Sequence, residues 1–148
     1  MKISEPILFD TNVLVYNQDR DSRLYLKAAK FHQQAISGEI KAVISSQNLL
    51  EFTAVMVNPK KIVRPLSQIQ VAGEIEKYLK IGYFRVIYPN IDTITSFSFL
   101  LKKYQTKNPR KIFDIFLVAT MLSNKIKYIL TANAKDFRFK EVKIVGLT

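Results

Sequence analysis

Short, continuous apolar segments alternate with longer helical patterns along the whole chain, and this alternation limits the fold more than any single residue does. Ile7-Leu8-Phe9, Ala42-Val43-Ile44, Phe84-Arg85-Val86-Ile87, Tyr128-Ile129-Leu130 and Ile144-Val145 read as strands. Between the first two, the stretch from Ser22 to Ser37 carries Leu24, Ala28, Phe31 and Ala35 at helical spacing and stops at Gly38. Ser45 or Ser46 can cap a helix bearing Leu49, Phe52, Val55 and Met56, which ends before Pro59. Further helices are expected after Ser67 to about Lys80, with Gly82 as the stop, from Asp92 to Tyr104, and from Ile112 to Ser123. Strands that are apolar throughout are buried on both faces, and strands separated by helices pair in parallel. The expected class is therefore α/β, with a mostly parallel sheet covered on both sides. With 148 residues and no repeat or linker-like tract, the chain reads as a single domain, residues 1–148. A chain of that size can bury roughly 70% of the surface it exposes when unfolded.

A parallel sheet presents its functional loops at the carboxyl ends of its strands. Asp10 directly follows the first strand and opens Asp10-Thr11-Asn12. Thr131, Asn133 and Asp136 follow the strand that ends at Leu130, Glu51 lies in the first half of the helix after the second strand, and Asp114 occupies an early turn of Ile112 to Ser123. These four acids can converge on one cleft. Bland uses compete at each position. Asp10 stands where a helix beginning at Thr11 or Asn12 would take its N-cap. Glu51 could be the one acid that a surface helix exposes, and Asn133 and Asp136 lie in a polar loop where Asx turns are common. Asp114 is harder to dismiss, because Ile112-Phe113-Asp114-Ile115-Phe116-Leu117-Val118-Ala119 is apolar nearly all round, as a buried helix is. An acid there is costly unless paired, protonated or bound to a cation. His32, beside Phe31 in its helical pattern, reads as a structural or surface residue.

The chain has no cysteine, which excludes thiol catalysis and thiolate metal sites. An oxygen-donor set with one histidine in the chain suits Mg²⁺ or Mn²⁺ better than Zn²⁺. The 23 Lys plus Arg against 12 Asp plus Glu give a net charge of +11, which attracts polyanions, nucleic acid first and an anionic membrane second. Lys60, Lys61, Arg110 and Lys111 fall in the basic tracts 58–64 and 107–111 and are candidate nucleic-acid contacts. Met1 to Asp10 has too short an apolar stretch for a signal peptide, and no run approaches the roughly 18 residues that span a bilayer, so the expectation is a soluble, cytoplasmic chain. Clustered carboxylates on a cationic protein point to metal-assisted phosphodiester hydrolysis.

Four segments, Phe9-Asp10-Thr11-Asn12-Val13-Leu14, Ile44-Ser45-Ser46-Gln47-Asn48-Leu49-Leu50-Glu51-Phe52, Phe113-Asp114-Ile115-Phe116-Leu117-Val118-Ala119 and Leu130-Thr131-Ala132-Asn133-Ala134-Lys135-Asp136-Phe137, resemble the ordered motifs of PIN-domain ribonucleases. No one segment is diagnostic; all four in order at this spacing, from Ile7 to Phe137, are much more specific. The nearest subgroup in pattern is the VapC-type toxins of toxin-antitoxin pairs. The resemblance implies a three-layer α/β/α domain that cleaves RNA with Mg²⁺ or Mn²⁺. It implies Asp10, Glu51 and Asp114 as metal-binding acids with Asp136 as the fourth, although relatives can carry that acid at the place of Asn133. Thr11, Asn12, Thr131 and Asn133 would be supporting polar residues. A homodimer and a cognate antitoxin are also implied. Haloacid-dehalogenase phosphatases would need an acid where Asn12 stands, and response-regulator receivers a phosphoacceptor Asp near Ile87-Tyr88-Pro89, which offers none. The alternative is a non-catalytic RNA-binding or scaffold module of the same fold, against which the retention of the three core acids weighs.

Overall fold

A computed structural model describes residues 3–80 and 82–147. In chain order the described residues form β1 (Ile7–Phe9), α1 (Thr11–Gln18), α2 (Tyr25–Ile36), β2 (Ala42–Ser45), α3 (Ser46–Met56), α4 (Gln68–Lys80), β3 (Phe84–Ile87), α5 (Ile91–Lys103), α6 (Lys111–Ser123), β4 (Tyr128–Thr131), a 3₁₀ turn (Ala134–Phe137) and β5 (Lys143–Gly146). The sheet is parallel throughout, in the order β3-β2-β1-β4-β5. Side chains of its central strands alternate between two cores. Ile7, Phe9, Ala42, Ile44 and Leu130 pack with Val13, Leu14, Ala28, Phe52, Met56 and Val71 of α1 to α4. Leu8, Val43 and Ile129 pack with Leu100, Ile115, Val118 and Met121 of α5 and α6. These are the three layers, α/β/α.

Strands β2 and β3 lie on one side of β1, and β4 and β5 on the other. The direction of winding therefore reverses between β1 and β4. Crevices in open parallel sheets form outside the carboxyl ends of the strands at such a reversal. Asp10 follows β1 and Thr131 ends β4, so both stand at that point.

Three local features depart from the sequence expectation. Thr11–Gln18, offered by the sequence only as a helix that Asp10 could cap, is helical, and it buries Thr11, Val13, Leu14 and Val15, of which the apolar three are contiguous. Helix α2 begins at Tyr25, three residues after Ser22, because the Ser22 hydroxyl accepts from the Leu24 N–H at 3.1 Å and holds a turn there. Helix α6 is not buried all round: Phe113 is 62% exposed, and Ile112 and Phe116 are half-buried beside an apolar groove of about 450 Å³ that also takes in Leu50 and Phe97. His32 is structural, as expected. Its Nδ1 is 2.9 Å from the Ala28 carbonyl and its Nε2 2.9 Å from the Tyr78 hydroxyl, and burial lowers its pKa to about 4. No helix among the described residues is long and apolar enough to cross a membrane.

Candidate active site

Asp10 extends the sheet by one bond beyond β1, its N–H donating to the Leu130 carbonyl at 2.9 Å. Its carboxylate then does two things at once. One oxygen accepts from the Thr11 N–H at 2.8 Å and caps α1. The other accepts from the Thr131 hydroxyl at 2.8 Å and the Asn12 amide at 3.1 Å, which binds the end of β1 to the end of β4. The residue is 7% exposed. Burial pushes its pKa up to about 7, with the charges of Glu51 and Asp114 adding to the rise, although the bonds from Thr131 and Thr11 oppose it. Capping and site membership are thus one arrangement at Asp10.

Glu51 reaches the cleft through a relay that starts at the N-terminus of α3. Ser45 caps that helix by accepting from the Asn48 N–H at 3.1 Å, and the Asn48 side-chain oxygen accepts from the Ser45 N–H at 2.9 Å and hydroxyl at 2.7 Å. The capping box orients the fully buried Asn48 so that its amide donates to the Thr11 hydroxyl at 3.1 Å. Thr11 in turn donates to Glu51 Oε2 at 3.0 Å. Sequence reasoning missed Asn48. Its one signal was the spacing of Ser45 and Asn48, which is that of a capping box with Asn in the third helical position.

Asp114 lies half-buried in the first turn of α6, where the helix dipole favours negative charge. Burial raises its pKa to about 6; the Lys111 ammonium opposes that rise, and the charges of Asp136 and Glu51 reinforce it. Lys111 donates to the backbone carbonyl of Asp136 and lies 5.2 Å from the centre of the Phe139 ring. It therefore ties the start of α6 to the 3₁₀ turn. Asn133 is exposed and Asp136 half-buried; both line the cleft. The Asn133 N–H donates to the Thr131 hydroxyl at 3.0 Å, and the Asp136 N–H to the Asn133 carbonyl at 2.9 Å.

The cleft has a volume of about 360 Å³, and Asp10, Glu51, Asp114 and Asp136 all line it. Asp19, at the end of α1, joins them and was not anticipated: the sequence offered a helix from Thr11 or Asn12 only as an alternative use of Asp10 and set no end to it. Lys61 lines the same cleft, whereas Lys60 and Arg110 are exposed outside it. Lys135 and Arg138 border an adjoining groove with Lys111.

The donor chemistry fits a hard divalent cation, since every ionisable donor is a carboxylate and each of Asp10 and Asp114 is discouraged from ionising by its acidic neighbours. Among the described residues no three His, Asp or Glu side chains stand close enough together to enclose an ion by themselves. Mg²⁺ is ordinarily held by one or two carboxylates with waters and substrate oxygens, so a more open set suits it. Asp10, Glu51, Asp114 and Asp136, which line the cleft, are the residues that could hold it.

A search of curated proteins gave no match. Among solved structures, a toxin-antitoxin complex from Klebsiella pneumoniae aligns with TM-score 0.61 at 20% identity, over 96% of this chain and 98% of that one. VapBC-1 from nontypeable Haemophilus influenzae aligns with TM-score 0.63 at 19% identity, over 96% and 98%. The sarcin-ricin-loop-cleaving toxin VapC20 of Mycobacterium tuberculosis aligns with TM-score 0.60 at 14% identity, over 93% and 98%. At these identities the likeness is one of fold. The family profile described as PIN domain matches residues 7–145, which takes in β1 to β4, β5 up to Val145, and each of the acids in the cleft. By that match, and by a parallel sheet that reverses at β1 with Asp10 at the reversal, the chain belongs to the PIN domain family.

Proposed function

We propose that this protein is a divalent-metal-dependent endoribonuclease, the toxin of a toxin-antitoxin pair, with its one domain spanning residues 1–148. The observation that carries the reading is the meeting of Asp10, Glu51, Asp114 and Asp136, delivered by four separate segments, in one cleft at the reversal of the sheet. A bound Mg²⁺ or Mn²⁺ would supply charge to offset the phosphate in the transition state and to lower the pKa of an attacking water.

The chain's own residues supply the rest. Thr131 and Asn12 hold the Asp10 carboxylate toward the cleft, and Thr11 holds Glu51. Asp136 is the fourth acid of this reading, because its charge acts on Asp114 and its side chain is half-buried, while Asn133 is exposed and neutral. Lys61 on one side, and Lys135 and Arg138 on the other, provide cations for flanking phosphates. Arg110 and Lys60 are exposed outside the cleft, and Lys111 contributes mainly by steadying the Asp136 turn.

The antitoxin partner is supported by solved neighbours that are toxin-antitoxin complexes. A second copy of the chain is the proposed cover for the apolar groove of Leu50, Phe97, Phe113 and Phe116, which light scattering of wild type and Phe113→Asp would test. The protein is expected to act in the cytoplasm. Incubation of purified protein with labelled RNA, Mn²⁺ or EDTA tests the activity. Metal-dependent cutting is the expected result, and salt-sensitive RNA binding without cutting by any metal-loaded sample contradicts it.

A further inference from the structure

Gln47 lies one helical turn before Glu51 on the same face of α3. Its amide nitrogen donates to Glu51 Oε1 at 2.7 Å and to the Phe113 carbonyl at 2.9 Å. That carbonyl belongs to the peptide bond that joins Phe113 to Asp114. A single nitrogen thus touches the carboxylate of one cleft acid and the carbonyl of the residue that precedes another. It forms the one hydrogen bond between α3 and α6 among the described residues. With Thr11 on Oε2, it also leaves Glu51 held at both oxygens, so the carboxylate has one orientation.

The same amide's oxygen is buried without a partner. Turning the amide over would set an acceptor against a carboxylate and a carbonyl, so the orientation is fixed by chemistry. We propose that Gln47 is the positioning residue for Glu51, fixing that carboxylate relative to Asp114 by bridging the two helices that carry them. The inference rests on the metal-site reading of these acids. Partners that orient a ligating carboxylate typically change metal affinity by about 10- to 100-fold.

The test compares Mn²⁺ binding, measured by titration calorimetry, with thermal melting in EDTA for wild type and three variants. Gln47→Met keeps the side-chain length but removes both donated bonds and the orphaned oxygen together. Thr53→Ala removes a hydrogen bond to the Leu49 carbonyl elsewhere on α3 and serves as a structural control. Asp10→Asn removes a proposed ligand. Expected are a folded Gln47→Met that binds Mn²⁺ about 10- to 100-fold more weakly than wild type, Thr53→Ala at wild-type affinity, and no binding by Asp10→Asn. If Gln47→Met melts as an unfolded chain, Gln47→Asn, too short to reach both partners, replaces it in the same comparison. Wild-type affinity in the Gln47 variant beside lost binding in Asp10→Asn overturns the inference and leaves the metal site standing. Equal weakening in Thr53→Ala overturns it too, since any loosening of α3 would then suffice. Absence of Mn²⁺ binding by wild type overturns both readings.

Discussion

Asp10→Asn should make the metal-free protein more stable at alkaline pH and take away its response to metal. In the fold the carboxyl has a pKa of about 7, against 3.8 as its ordinary value, with burial as the main cause. The folded state therefore keeps a proton that the unfolded chain releases between those two values, so stability falls as pH rises through that window and levels off above it. The full penalty is about 4 kcal/mol, at roughly 1.4 kcal/mol for each tenfold change in the proton equilibrium. Asparagine carries no charge. Its oxygen can keep the bond from the Thr11 N–H and its amide can donate to the Thr131 hydroxyl, whereas the Asn12 amide loses its bond to residue 10 and keeps the longer one, 3.3 Å, to the Thr131 hydroxyl. That loss costs about 1 kcal/mol. The net expectation in EDTA is a gain of roughly 1–3 kcal/mol at pH 8.5 and little difference at pH 4.5. Urea unfolding at the two pH values reads this directly. Adding Mn²⁺ at a hundredfold excess over its Kd should stabilise wild type by about 2.7 kcal/mol and leave the variant unmoved. A variant less stable than wild type at pH 8.5 without metal, or an offset that does not change with pH, would refute the burial argument.

Asp114→Asn should keep the fold and reduce cleavage at least about 100-fold, on the scale of losing one preorganised electrostatic group; a rate within threefold of wild type would remove Asp114 from the chemistry. Asp136→Asn should slow cleavage far more than Asn133→Ala, and the reverse order in initial rates would move the fourth position to Asn133. Cleavage should rise with pH through about 6 to 7, because Asp114 and Asp10 must lose protons before a cation can be held; a profile flat from pH 5.5 to 8 contradicts that requirement. Lys61→Glu should lower RNA affinity and flatten its dependence on salt more than Lys60→Glu, since only Lys61 lines the cleft; equal slopes by filter binding would place the RNA elsewhere.

The strands were legible because each is a short apolar run, and the structure extends them by a residue at most at either end. The convergence of Asp10 with Thr131 followed from the parallel sheet, which puts both at carboxyl ends. What the sequence hid is of three kinds. Helix α1 carries Val13-Leu14-Val15 in succession, so its start was legible only as a candidate N-cap at Asp10, and its end, with Asp19, was hidden. Phe113 and Ile112 look like core residues in the string, yet they border an open groove, because apolar composition records hydrophobicity without saying what covers it. Asn48 and Gln47 are ordinary polar helix residues on paper. Their meaning lies in partners 37 and 66 positions away, Thr11 and Phe113, which only the packing of α1 and α6 against α3 brings near.

Cleavage of labelled single-stranded and structured RNAs by the purified protein with Mg²⁺, Mn²⁺ or EDTA, beside Asp10→Asn and Asp114→Asn, decides whether the cleft acids carry metal-dependent hydrolysis. Cutting is expected with either cation, with none in EDTA and none by the two variants, whose melting curves in EDTA show that they are folded. Cutting that persists in EDTA, or in both variants at the wild-type rate, would contradict that role.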